Sequence, residues 1–167
     1  MNTYVLSILA ENKSGVLSRL TGLFSRRGYN IDSITAGVTA DDRFSRITIV
    51  TSGEDELMVE QIEKQLAKLE DVVSIERLKR DESVARELIL VKVRVPSESR
   101  QSMMSVIDIF RARVIDVSFD SMVIELTGSQ NKLEAFIELM KEYDIVELAR
   151  TGATALSRGM ENVKFLD

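Results

Sequence analysis

One set of residues has the types and spacing to hold a ligand: Asn12-Lys13-Ser14-Gly15-Val16-Leu17-Ser18, answered further along by Asn30-Ile31. Ser14 stands where an N-cap belongs, its oxygen placed to accept a backbone N–H of the first helical turn. Gly15 follows at the first helical position, where glycine costs about 1 kcal/mol relative to alanine. A backbone that a ligand must approach closely would account for that cost, because a β-carbon would stand in the way. The N–H groups at a helix start, with the positive end of the helix dipole behind them, suit a small anion such as a carboxylate. Asn30 and neighbouring carbonyls could accept hydrogen bonds from an ammonium. Val16, Leu17 and Ile31 could enclose an apolar side chain. The same residues also fit an ordinary capped helix with a glycine in a tight turn, and capping alone does not separate the two.

Chemistry of other kinds has little support. The 167 residues contain no histidine and no cysteine, which removes the commonest general base, the commonest transition-metal ligand and any thiolate. No phosphate-binding or dinucleotide glycine motif is spelled out. Asp41-Asp42 lies in a loop, and Glu54, Asp55, Glu56, Glu60 and Glu63 fall on a solvated helix start. The net charge of −5, with both signs interspersed, does not suit a nucleic-acid surface. No apolar run reaches the roughly 18 residues of a membrane span. With no leader pattern at the N-terminus, a cytoplasmic protein is expected.

The elements that must position these residues are legible from periodicity. Tyr4 to Ala10 reads as a strand within Thr3–Ala10. Val16, Leu17, Leu20, Leu23 and Phe24 recur at helical spacing up to Arg26-Arg27, and Gly28 ends that helix. A second strand opens at Asn30, and Thr39 to Arg43 forms a hairpin loop to a third over 45–51. Val59, Ile62, Leu66 and Leu69 mark a second helix, and Val72 to Leu78 a fourth strand. This βαββαβ order is the ferredoxin-like arrangement, two helices on one face of an antiparallel sheet, the other face bare.

Composition turns fully polar over Lys79-Arg80-Asp81-Glu82-Ser83, which places a linker there. The order of elements then repeats: a strand with Ile89, Val91, Val93 and Val95 on one face, stopped by Pro96. Ser97 caps a helix with Met103, Met104, Ile107 and Phe110. A hairpin follows over 114–127, then a helix capped by Ser129 with Leu133, Phe136, Ile137 and Met140, and a strand over 145–150. Met103, Met104, Met122 and Met140 read as core filler. The tail from Thr151 shows few periodic apolar positions and reads as irregular. The fold class is α+β, two ferredoxin-like domains in tandem, bounded as 1–80 and 81–167.

Three runs in the first half, Glu11 to Arg19, Gly22-Leu23-Phe24-Ser25 and Arg27-Gly28-Tyr29-Asn30-Ile31, resemble the N-terminal ACT domain of acetolactate (acetohydroxyacid) synthase small subunits. In the second half Leu90-Val91-Lys92-Val93, Ile109-Phe110-Arg111-Ala112, Val114-Ile115-Asp116-Val117 and Leu156-Ser157-Arg158-Gly159 are similar to the same family. The resemblance implies a regulatory subunit without catalytic residues. It implies that 1–80 is an ACT domain for amino-acid sensing and homodimerisation. It further implies a catalytic large subunit as partner, carrying the thiamine diphosphate, magnesium and FAD, with no cofactor in this chain. Valine, leucine or isoleucine would bind at the ACT dimer interface as feedback inhibitor. The matching positions are Asn12, Gly15, Ser18 and Asn30, with Ser14 and Leu17 beside them. A freestanding ACT-type amino-acid-binding protein, or a structural subunit without ligand, is the alternative.

Overall fold

The mainly apolar run from Tyr4 to Ala10 becomes the centre of a sheet. In the computed structural model, which describes residues 2–160, β1 (Asn2–Glu11) is flanked by two antiparallel neighbours. These are β3 (Phe44–Gly53) and β4 (Val72–Leu78), and β2 (Ser33–Val38) pairs β3 to give the order β2-β3-β1-β4. Leu6, Ile8, Ala10, Ile47 and Ile49 point to one face and are buried there. They meet Val16, Leu20, Leu23 and Phe24 of α1 (Val16–Arg27) and Val59, Ile62 and Leu66 of α2 (Glu56–Leu66). Asp55 caps α2, its side chain accepting from Met58 N at 2.9 Å.

The start of α1 departs from the expectation drawn from its sequence. Ser14 is not the cap. The cap position is Gly15, with φ 83° and no side-chain hydrogen bond. A left-handed backbone is costly for a residue with a β-carbon, so glycine is demanded by the turn itself, whether or not a ligand approaches. Gly28 ends the helix as expected, left-handed at φ 70°, its N–H shared between Phe24 O and Ser25 O. The second strand begins at Ser33, so Asn30 stands in the loop before it.

The second unit, residues 86–152, repeats the order of elements. β5 (Ser83–Arg94) is central, paired antiparallel to β7 (Ser121–Gly128) and β8 (Asp144–Arg150), with β6 (Arg113–Val117) at the edge in the order β6-β7-β5-β8. Ile89, Val91, Val93 and Val95 face α3 (Arg100–Phe110) and α4 (Gln130–Met140) in one core. Met103, Met122 and Met140 are buried in it as filler, while Met104 is 40% exposed and belongs to the surface. Neither Ser97 nor Ser129 makes a side-chain cap; a short 3-10 turn over Ser97–Ser99 precedes α3. Glu87, almost fully buried, is paired by Arg150 at 2.7 Å, and Arg150 also reaches Glu134 at 2.8 Å. A buried acid is tolerable only with such a partner.

Two corrections concern how the units are joined. The polar stretch near residue 80 is no open linker: it makes one 3-10 turn, Arg80–Glu82, and β5 begins at Ser83. The tail is not irregular either. Thr154–Ser157 forms β9, which pairs β5, and residues 153–160 belong with 2–85 in the first unit. There the returning chain covers part of the face that α1 and α2 leave bare. Thr35 Oγ1 donates to Ala153 O at 2.9 Å, and Ala155 N donates to Thr48 Oγ1 at 3.4 Å. Ala155 is buried, as are Ser7, Leu9 and Thr48 on that side of the sheet. Expectations for residues 161–167 lie outside the described residues.

Two substitutions check this account. Gly15→Ala forces a β-carbon into the left-handed region and to 2.9 Å from Arg19 Nη1, and should lower stability by about 1–2 kcal/mol in urea unfolding. An unchanged midpoint would mean the turn is not left-handed. Ala155→Asp places a charge under β9 and should cost about 2 kcal/mol, a fall of roughly 4–8 °C in Tm. A Tm equal to that of the parent chain would show that β9 does not hold to the sheet.

Candidate functional site

The loop between β1 and α1 is anchored by backbone bonds that leave its outer groups free. Asn12 N donates to Arg43 O at 2.7 Å, and Asn12 Nδ2 donates to Asp42 O at 2.8 Å. Asn12 therefore fastens the loop to the β2–β3 hairpin. Lys13 N turns back to Glu11 O at 3.0 Å, and Arg19 N reaches Gly15 O at 3.0 Å. Among the described residues no partner is found for the backbone N–H groups of Ser14, Gly15, Leu17 and Ser18. They are the orphan donors of a helix start, at its positive end. Ser14, Gly15, Leu17 and Ser18 are all exposed, so an anion would reach these donors from solvent.

The charges around the loop are mostly committed to one another. Lys13 Nζ lies 2.5 Å from Glu11, whose hydrogen bond and charge raise the lysine above its ordinary range. Arg43 pairs with Asp41 at 2.5 Å, and hydrogen bonding to Arg43 holds the Asp41 carboxyl below the usual range. Arg19 Nε and Nη2 both meet Asp71 Oδ2, at 2.7 and 2.6 Å. Its Nη1 is left over the outer face of Gly15. Arg19 closes the run Glu11 to Arg19 but was assigned no role there; it reaches the loop by lying one turn along α1.

Asn30 and Ile31 lie elsewhere. Asn30 O accepts from Thr51 Oγ1 at 2.6 Å, and Asp32 N donates to Val50 O at 2.8 Å. Asn12, by contrast, is tied to Arg43, at the other end of β3. From Phe44, which faces Glu11, to Thr51 is seven residues, about 23 Å of strand. Within one chain the two groups do not meet. Val16 also turns inward and is core, so it does not line an open pocket with Leu17 and Ile31. Around Asn30 a small polar cluster forms: its Nδ2 donates to Asp32 Oδ1 at 2.7 Å, and Ser52 Oγ donates to Asp32 Oδ2 at 2.5 Å. Asp32 was absent from the residues expected to matter.

Among the described residues no group of three or more His, Cys, Asp or Glu side chains could hold a metal ion. No described helix is long and apolar enough to cross a membrane.

Comparison with known proteins agrees with both halves of the fold. Residues 6–74 match the AHAS small subunit-like ACT domain, and residues 86–159 match the small subunit of acetolactate synthase. The acetolactate synthase small subunit of Bacillus subtilis is 48% identical over 157 residues, covering 94% of this chain and 91% of that protein. That of Mycolicibacterium smegmatis is 46% identical over 161 residues, covering 96% and 94%. The crystal structure of the acetolactate synthase small subunit from Thermotoga maritima superposes with TM-score 0.88 at 40% identity, covering 96% of this chain and 99% of that one. The chain belongs to the family of acetolactate synthase small subunits, regulatory subunits with an N-terminal ACT domain.

Proposed function

We propose that this chain acts on a catalytic large subunit of acetolactate synthase, raising its activity and making it sensitive to a branched-chain amino acid. The thiamine diphosphate, magnesium and FAD of that reaction would belong to the large subunit. Valine, leucine or isoleucine would bind to a homodimer of this chain, in a seam between two first units. The observation that carries this reading is the row of unpaired N–H groups at Ser14, Gly15, Leu17 and Ser18. Four donors at a positive helix end form a seat for a carboxylate.

A twofold arrangement explains why Asn12 and Asn30 stand far apart in one chain. β2 is an edge strand, with its Ser33 end near Asn30 and its Val38 end next to the hairpin that holds Asn12. An open edge invites a second strand, and two copies of β2 paired antiparallel would continue the sheet. The Ser33 end of one copy would then arrive beside the Val38 end of the other. Asn30 and Ile31 of the partner subunit would face the loop Asn12 to Ser18, with Leu17 and Ile31 supplying apolar contacts. Effector binding would favour one dimer arrangement over another. The resulting coupling to the large subunit is bounded by the difference in affinity for the two arrangements, typically ~1–3 kcal/mol.

Gly15→Asp tests the seat. Aspartate tolerates a left-handed backbone better than most residues, so the loop should survive. Its carboxylate would occupy the place of the ligand's own, beside Arg19. Synthase reconstituted with this variant should keep its stimulated activity and need at least ~10-fold more valine for inhibition, equivalent to about 1.4 kcal/mol. Inhibition at the parent concentration would rule the loop out.

A further inference from the structure

Resting on the seam reading above, we propose that Arg19 of one protomer and Asp32 of the partner subunit read the two charges of the effector's zwitterion. Arg19 receives the carboxylate and Asp32 the ammonium.

Arg19 is the cation placed for this. Lys13 is occupied by Glu11 and Arg43 by Asp41, both at 2.5 Å. Arg19 spends Nε and Nη2 on a single oxygen of Asp71, which fixes the plane of the guanidinium. Among the described residues its Nη1 makes no hydrogen bond, and it stands where a β-carbon on Gly15 would touch it at 2.9 Å. A carboxylate over the Gly15 turn thus meets the orphan N–H groups on one oxygen and Nη1 on the other. Charge-assisted bonds of this kind are about twice as strong as neutral ones.

The opposite end needs an anion, and the loop does not offer one. Glu11, Asp41 and Asp71 are each neutralised by a neighbour, and the charge of Asp42 acts on Arg43. Asp32 differs. It has no cationic side chain within ion-pairing distance among the described residues, yet both its oxygens are held by neutral donors, Asn30 Nδ2 and Ser52 Oγ. It lies one residue before β2, so in the proposed antiparallel pairing of two β2 strands it would arrive at the Val38 end of the other protomer. Asn30 then serves to orient Asp32 as well as to contact the ligand. Neither charge alone distinguishes an amino acid from other metabolites. Together, split across the seam, they demand an α-ammonium carboxylate and make recognition conditional on the dimer.

The test deletes charges from ligand and protein in turn. The full-length chain is titrated by calorimetry with L-valine, with isovalerate, which lacks the ammonium, and with isobutylamine, which lacks the carboxylate. Asp32→Asn should weaken valine at least ~10-fold and leave isovalerate unchanged. Arg19→Gln should weaken valine and isovalerate alike and leave isobutylamine unchanged. Asp32→Asn binding valine as tightly as the parent, or losing isovalerate in equal measure, overturns the assignment and leaves Asp32 as a brace for Asn30 and Ser52. Arg19→Gln with unchanged valine affinity does the same for Arg19. A parent chain that binds no valine removes the seam reading itself, and this assignment with it.

Discussion

The rigidity of β3 is the constraint on which the rest depends. Its ladder to β1 runs unbroken from Phe44 to Gly53, and it holds the Asn12 loop at one end and Asn30 at the other. No side chain spans about 23 Å, so the first unit cannot close these two groups around one small molecule. What a single chain cannot do, an antiparallel pair of edge strands can. In the proposed shared site the second copy is required by strand length, and ligand and dimer arrangement would share one equilibrium.

The same sheet is covered in part on its second face by the chain's own return. Thr35, on the edge strand that would meet the other protomer, is hydrogen-bonded to Ala153 and lies 3.3 Å from Thr154 Oγ1. Two residues earlier, Thr151 N is bonded to Leu88 O within the second unit. Between them Gly152 takes φ 81°, a conformation that only glycine adopts without strain. The first unit therefore owes part of its buried surface to residues that follow the whole of the second. Neither half of the sequence encodes its own boundary.

Most of the fold was legible because its elements are amphipathic on their own. β4 was read with its observed ends, and the helical stripes of the first unit are buried as their spacing foretold, except that Leu17 is exposed and Leu69 only partly buried. The failures have a common cause. Thr154-Ala155-Leu156-Ser157 is a strand only because β5 and the open sheet face are there to pair with it, and nothing local announces it. Ser14 had the type and position of a cap, but the left-handed turn at Gly15 took that place. In the candidate site, Asn12, Gly15 and Asn30 were visible as motif positions. Arg19, although it closes the run Glu11 to Arg19, and Asp32 were assigned no role, since one reaches its place through an ion pair 52 residues away and the other through Ser52, 20 residues away. Sequence spacing carries no record of such contacts.

A site shared between two copies can be reassembled from two damaged ones. Chains with different tags, one carrying Gly15→Asp and the other Asn30→Ala, are co-expressed, and the mixed dimer is purified and titrated with L-valine. If each site takes its loop from one protomer and its Asn30 from the other, both lesions fall in one site and the second is intact. The mixed dimer then binds one valine with parental affinity, while neither variant homodimer binds at that concentration. A mixed dimer as inert as the two homodimers would contradict a shared site and return both halves to a single chain.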